Sequence, residues 1–225
     1  MQIELVIFDM AGTTVNDEDG VNRCVREALA AAGITTTREA VNRVMGIPKP
    51  IALAHLIENS NHPDLLARLD AIHADFVTRM IRFYRTDPSV HEIHGAADTF
   101  RRLRAAGIKV ALDTGFSRDI VTVILDRLGW NDPQLVDLTV TSDEVPNGRP
   151  HPDMVHKAMR DLGITDAQRV AKVGDTPSDL EEGENANCGL IVGVTAGSHT
   201  ADQLKPFPHT HLIGSVVELP AILGI

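Results

Sequence analysis

Asp9 closes the apolar run Ile3-Glu4-Leu5-Val6-Ile7-Phe8 and opens the polar turn Met10-Ala11-Gly12-Thr13-Thr14. Two later segments repeat the arrangement. Ile108-Lys109-Val110-Ala111-Leu112 runs into Asp113-Thr114-Gly115, and Val170-Ala171-Lys172-Val173-Gly174 runs into Asp175-Thr176-Pro177-Ser178-Asp179. A hydroxyl and a backbone N–H at Thr114 and Gly115 suit phosphate oxygens, while Asp9 and Asp175 suit a hard cation that takes oxygen ligands. Arg149, in Gly148-Arg149-Pro150, offers a guanidinium that can neutralise a carboxylate and grip a phosphoryl oxygen. Taken singly these are weak signals, since Asp9 could simply cap a turn and Asp179 could sit beside a helix dipole. Their order along the chain, at the ends of three apolar runs, makes them a strong set.

The elements that must position these residues follow from hydrophobic patterning. Nearly continuous apolar runs are expected of strands buried on both faces of a parallel sheet, where ligands bind beyond the carboxyl ends. From Gly95 onward strand and helix signals alternate. Phe100 and Leu103 mark a helix ending near Gly107, and Ser117 is placed to cap a helix through Val121, Ile124, Leu125 and Leu128 that stops at Gly129. Residues 135–140 read as a strand, 151–162 as a helix, and 190–194 and 211–213 as further strands. The fold class is therefore α/β, a doubly wound, Rossmann-like parallel sheet.

Between Val15 and Ile93 the strand patterns vanish and helical spacing takes over. Val21, Cys24, Val25, Ala28 and Leu29 trace one amphipathic helix stopped by Gly33, and Thr36 and Glu39 have capping-box spacing for a second. A long helix spans 65–84, with Leu66, Leu69, Ile72, Phe76 and Met80 on related faces. The expected organisation is a core domain of residues 1–15 and 94–225 with a helical cap domain, 16–93, inserted into it. Hinges near Val15 and His94 would let the cap close and exclude water.

At 225 residues, 43% of them hydrophobic and 23% charged, the chain is long enough for one core and a small insert. Its net charge of −10 argues against a general nucleic-acid surface. The absence of an 18-residue apolar segment or a leader argues against a membrane and for a cytoplasmic setting. Two distant cysteines, Cys24 and Cys188, fit reduced thiols there. The ten histidines do not make a zinc site, because His91 and His94, like His209 and His211, lack a third ligand at suitable spacing.

With Asp9, Thr114, Arg149 and Asp175 to Asp179 in this order, the chain resembles the haloacid dehalogenase superfamily over its whole length. Asp-x-Ala-Gly-Thr combined with an arginine at the third motif is similar to the phosphonatase branch, and Met45-Gly46-Ile47-Pro48-Lys49 stands where such enzymes carry a Schiff-base lysine. The resemblance implies that Asp9 is the nucleophile and forms an aspartyl-phosphate, assisted by Arg149. It implies Mg²⁺ held by Asp9, the carbonyl of Ala11 and Asp175, with Asp179 acting through the metal's water shell. Gly12, Thr13, Thr114 and Gly115 are the expected substrate-binding positions.

Ala11 discriminates among reactions. A side chain there would normally protonate the departing alcohol of a phosphate ester, and general-acid help of that kind contributes about 10²–10⁴-fold. Cleavage of a carbon–phosphorus bond instead needs an electron sink, which a protonated imine on Lys49 would provide. Three positions depart from the phosphonatase pattern: Ala52 replaces a histidine, Phe116 a tyrosine, and Asp19 a cysteine. The expected substrate is a small phosphonate such as phosphonoacetaldehyde or a relative, with a homodimer left open. A small-molecule phosphatase or phosphotransferase is the second reading, and a non-catalytic phosphoryl-binding regulator the third.

Overall fold

A computed structural model describes residues 2–16 and 18–225. Met1 and Asp17, within the expected segments 1–15 and 16–93, lie outside the described residues. The chain begins with β1 (Leu5–Asp9) and the short β2 (Val15–Asn16). Then come α1 (Gly20–Ala31), α2 (Arg38–Asn42), α3 (Lys49–Glu58) and α4 (Leu69–Thr86), and the short β3 (His91–Glu92). The rest alternates: α5 (Ala96–Ala105), β4 (Lys109–Thr114), α6 (Arg118–Leu128), β5 (Leu138–Thr141), α7 (Asp153–Leu162), β6 (Val170–Gly174), α8 (Pro177–Asn185), β7 (Leu190–Val194), α9 (Ala201–Leu204), β8 (His211–Ile213) and α10 (Leu219–Ile222).

Six strands form one parallel sheet in the order β5-β4-β1-β6-β7-β8, the expected doubly wound architecture. Every residue of β1 is buried, and the strand's period of two sorts its side chains into two layers. Val6 and Phe8 join the larger core, shared with α1, α4, α5 and α6, while Leu5 and Ile7 join a second core against α7 and α8. Each fully buried aliphatic or aromatic side chain contributes roughly 1.5–3 kcal/mol, so a run of four fixes this strand at the centre. Register then aligns the ends: Asp9 pairs with Asp113 of β4, and Phe8 pairs with Val173 of β6, one residue short of Gly174.

Among the described residues, the regular elements between β2 and β3 are all helical, with α4 packed on α1 and α3 and reaching α6 of the core. β2 and β3 pair antiparallel through Val15 with Glu92 and Asn16 with His91, so the two chain crossings into this insert run side by side.

Several expectations shift in detail. Thr37, not Thr36, caps α2 by accepting from the Ala40 N–H at 3.1 Å. The long helix begins at Leu69 after a 3-10 stretch, Pro63–Arg68, whose proline starts it. β5 begins at Leu138, because Leu135 and Val136 are buried in a turn rather than a strand. Ser117 occupies the N-cap position of α6, yet its hydroxyl caps nothing and has no partner among the described residues. Gly129 does end α6 in the left-handed conformation, at φ 69°.

Candidate active site

Strand register brings Asp9, Thr114 and Asp175 to one edge of the sheet, and Arg149 reaches them from the loop before α7. Its side chain is almost wholly enclosed and meets four carboxylates. Nη1 lies 2.6 Å from Asp9 Oδ1 and 2.9 Å from Asp179 Oδ1, Nη2 donates to Asp113, and Nε donates to Glu182 Oε2 at 2.9 Å. Burial opposes the guanidinium charge, but Asp113, Asp179 and Asp9 together hold its pKa well above the ordinary value.

Lys172 is a second buried cation. It sits in the middle of β6, with Nζ 2.5 Å from Asp113 Oδ1, 3.0 Å from Glu182 Oε2 and 3.3 Å from Asp179 Oδ1. Burial disfavours its charge, and the surrounding carboxylates outweigh burial and raise its pKa. Asp113 is pushed up by burial but falls below its ordinary range, because Arg149 and Lys172 both stabilise its charge. Glu182 is pushed the other way, to about 8, first by burial and then by the Asp113 charge. Asp113 Oδ2 and Glu182 Oε1 accept no hydrogen bond from a described donor. A proton retained on Glu182 donates to Asp113 and answers both.

The remaining acids have their own supports. Asp175 accepts from the Thr13 hydroxyl at 3.0 Å, and from the Ser198 N–H and hydroxyl at 2.6 and 2.7 Å. Asp179 is both a cluster member and a helix-start acid: its Oδ2 accepts from the Thr176 N–H at 3.1 Å and hydroxyl at 2.5 Å, completing a capping box for α8. Burial raises the pKa of Asp9 well above the carboxylate range against the pull of Arg149, and burial with the Asp179 charge raises that of Asp175.

Five buried carboxyls thus face two cations, Arg149 and Lys172. Asp9, Asp175 and Asp179 each offer an oxygen, all within 4.8 Å of one another, a hard-donor set that fits a divalent cation. The surplus of negative charge and the raised Asp9 and Asp175 are what a cation at this point would relieve.

Asp9, Ala11, Lys49, Thr114, Gly115 and Arg149 line one cavity of about 30 Å³, with Phe116 and Thr176. Lys49 is the first residue of α3 and is buried. Its Nζ donates to the Ile47 carbonyl at 3.3 Å and lies 5.4 Å from the centre of the Phe116 ring. Gly12 and Thr13 sit in the turn after β1. Their N–H groups bond to the carbonyls of Val15 and Met10 inside the turn, and the Thr13 hydroxyl is spent on Asp175. The Thr13 hydroxyl thus orients Asp175, and Gly12 lines a neighbouring, larger cavity.

The insert meets this edge of the core at three glycines. A Cβ on Gly46 would strike the side chain of Thr176, one on Gly115 would stand 2.9 Å from the Ile47 carbonyl oxygen, and one on Gly148 would strike the Pro48 ring. Only bare backbone lets the Met45–Lys49 segment come this close.

Sequence reasoning passed over Asp113, Lys172 and Glu182. A signal existed for each: Asp113 adjoins Thr114, Lys172 interrupts an otherwise apolar strand that buries both faces, and Glu182 follows Asp179 by three residues on one helix face.

Comparison with known proteins agrees with this geometry. The haloacid dehalogenase-like hydrolase family matches residues 6–192. A phosphonoacetaldehyde hydrolase of Bacillus cereus is 31% identical over 210 residues, covering 88% of this chain and 78% of its own. A protein of the same name from Bacteroides fragilis is 28% identical over 240 residues, covering 97% and 87%. Among solved structures, a phosphonoacetaldehyde hydrolase-like protein from Oleispira antarctica superposes with a TM-score of 0.85 at 22% identity, covering all of this chain and 92% of its own. CbbY from Rhodobacter sphaeroides, solved in complex with phosphate, superposes with a TM-score of 0.82 at 21% identity over the whole of both chains. With the family matched across most of its length, this chain belongs to the haloacid dehalogenase-like hydrolases.

Proposed function

We propose that the protein is a Mg²⁺-dependent, phosphonatase-like hydrolase that cleaves a small phosphonate, phosphonoacetaldehyde or a relative, through an aspartyl-phosphate at Asp9. The observation that carries this reading is that Asp9 and Lys49 line the same small cavity, with alanine at position 11. Residues 16–93 act as the cap that encloses it.

Asp9, Asp175 and the Ala11 carbonyl would hold the cation, with Asp179 behind its water shell. Bound there, Mg²⁺ supplies the charge neutralisation that lets one anion approach another. Thr114 and Gly115 bind the phosphoryl oxygens, and Arg149 adds positive charge on the same side. Lys49 condenses with the substrate carbonyl to an imine and releases water. Asp9 Oδ then attacks phosphorus, the carbon–phosphorus bond breaks, and its electron pair moves through carbon to the imine nitrogen, leaving an enamine. Water hydrolyses the aspartyl-phosphate to phosphate, and protonation and hydrolysis of the enamine free Lys49. Ala11 fits this route, because carbon departs with its electrons accepted elsewhere and no oxygen leaving group waits for a proton.

Two contacts of Lys49 favour a second reading. The carbonyl of Ile47 and the face of Phe116 both suit an ammonium at Lys49, whereas imine formation needs the free amine. A small-molecule phosphatase or phosphotransferase would use Lys49 as a fixed positive charge. A panel of carbonyl phosphonates and phosphate esters, assayed for phosphate release with Mg²⁺, separates the two: carbonyl phosphonates alone should turn over efficiently, and preference for esters would replace the first reading with the second.

A further inference from the structure

A cavity of about 300 Å³ adjoins the small one, and the two share Ala11, Val21, Met45 and Ser198 in their walls. Its other lining comes largely from the insert: Asp19, Asn22, Arg38 and Asn42, with Glu18. Groups attached to a phosphoryl centre at Asp9 have this space to enter, and the volume is at the size where ligand pockets begin.

The wall is built, not incidental. Asn22 is buried, and its carboxamide is fully committed: Nδ2 donates to the Arg38 carbonyl at 3.0 Å and to Asn42 Oδ1 at 2.7 Å, while Oδ1 accepts from Arg26 Nε at 2.8 Å. That ties α1 to the start of α2 and fixes the backbone from which Arg38 projects. Asp19 then takes Arg38 Nε at 3.0 Å and lies 3.7 Å from Arg26. Asp19 and its neighbour Glu18 hold left-handed backbone, at φ 70° and 43°, a conformation that persists only where the surroundings over-determine it.

This arrangement places two guanidinium groups on one carboxylate in a protein of net charge −10. Arg38 is pinned through Nε and through its backbone, and neither bond uses its two terminal nitrogens. Those nitrogens form the fork that matches a carboxylate. Glu18, the other acid of the lining, is exposed, as is the Arg38 side chain, so solvent and salt screen both charges and the fixed geometry of Arg38 is what distinguishes it.

We propose that this cavity receives the portion of the substrate that departs from phosphorus, and that Arg38 reads a carboxylate on it, so that the substrate is a relative of phosphonoacetaldehyde carrying a carboxylate as well as the carbonyl or, on the second reading, a phosphate ester of a carboxylic acid. The inference rests on the reading of the Asp9 cavity as the phosphoryl site. It accounts for Asp19 at a position where phosphonatases carry cysteine: here the residue holds Arg38 in place.

Binding of inert ligands tests it without turnover. Calorimetry with Mg²⁺ present would compare 3-phosphonopropionate with propylphosphonate, which has a methyl in place of the carboxylate, and with 2-aminoethylphosphonate, which is cationic there. The carboxylate ligand should bind about two- to fivefold more tightly than propylphosphonate, and Arg38→Ala should erase that ratio. Circular dichroism would confirm that the variant, altered at an exposed side chain, remains folded. Equal affinities for the three ligands, tighter binding of the cationic one, or a ratio that survives in Arg38→Ala would each overturn the carboxylate subsite alone. Failure of all three phosphonates to bind would remove the phosphoryl-site reading, and this inference with it.

Discussion

Arg149 and Lys172 share their anchors: Arg149 Nε and Lys172 Nζ both reach Glu182 Oε2, at 2.9 and 3.0 Å, and Arg149 Nη2 and Lys172 Nζ both reach Asp113 Oδ1. The guanidinium that meets Asp9 is thus held from behind by a buried lattice of charge. Removing one cation from such a lattice leaves a carboxylate uncompensated, at a cost of about 3–5 kcal/mol. Lys172→Met is expected to lower the thermal midpoint by about 6–20 °C on that basis. Calorimetry of the variant checks it, and an unchanged midpoint would mean that Asp113 and Glu182 are satisfied by Arg149 alone.

Asp9→Asn should abolish phosphate release, by at least about 10³-fold, since an amide is not a nucleophile toward phosphorus. Stability should hold or rise, because burial penalises the charge of Asp9 more than Arg149 rewards it. Phosphate release and a melting curve on the same preparation test both halves. Retained turnover would sink the assignment of Asp9 as the nucleophile.

Chelation should silence the enzyme and Mg²⁺ restore it. Because Asp9, Asp175 and Asp179 converge only in the folded chain, a hundredfold excess of metal over its dissociation constant should stabilise by about 2.7 kcal/mol, raising the midpoint by roughly 5–10 °C. Asp175→Asn should shift the metal titration to higher concentration. Full activity in metal-free buffer would contradict the site.

Lys49→Arg keeps the charge over Phe116 but cannot condense with a carbonyl. With a carbonyl phosphonate as substrate, borohydride should trap an adduct on wild-type Lys49, visible by mass spectrometry, and Lys49→Arg should lose both adduct and activity. An ester phosphatase would form no adduct and retain much of its activity in the variant.

The pH dependence of stability follows from Glu182. Its carboxyl titrates near 4.5 when unfolded and near 8 when folded, so between those values the folded state keeps a proton that the unfolded state has lost. The contribution is fully present below about 4.5, declines as pH rises through 8, and has a slope of at most about 1.4 kcal/mol per pH unit. Asp9 and Asp175, also raised, act in the same sense. In EDTA the midpoint should fall from pH 6 to pH 8, and by less in Glu182→Gln. A midpoint that climbs over that range would show Glu182 ionised throughout.

The sheet was legible because strands buried on both faces must be apolar along their length, and residues 190–194 and 211–213 form strands at the expected bounds. Leu135 and Val136 show the limit: they are as apolar and as buried as strand residues, yet they lie in a turn, and an apolar run does not distinguish the two. β2 and β3 have two residues each, too few to carry a period. At the site, polar residues ending strands stood out, whereas Lys172 and Glu182 lay inside elements, where a single charge looks like an exposed position until its partners are placed. The pairing of Asn22 with Arg38 is of the same kind, being a contact between two helices whose packing the chain does not spell out locally.

The three glycines between insert and core carry a thermodynamic consequence. Gly46 faces Thr176, Gly115 faces backbone, and Gly148 faces the ring of Pro48. Glycine and proline lose no side-chain rotamers on burial, so bringing these surfaces together freezes little beyond the hydroxyl-bearing side chain of Thr176, already fixed in its capping box. Were residues 16–93 to open and close as a cap, a joint made this way would reseat with little side-chain ordering to repeat. Alanine at any of the three would add steric bulk at this contact, pushing insert and core apart.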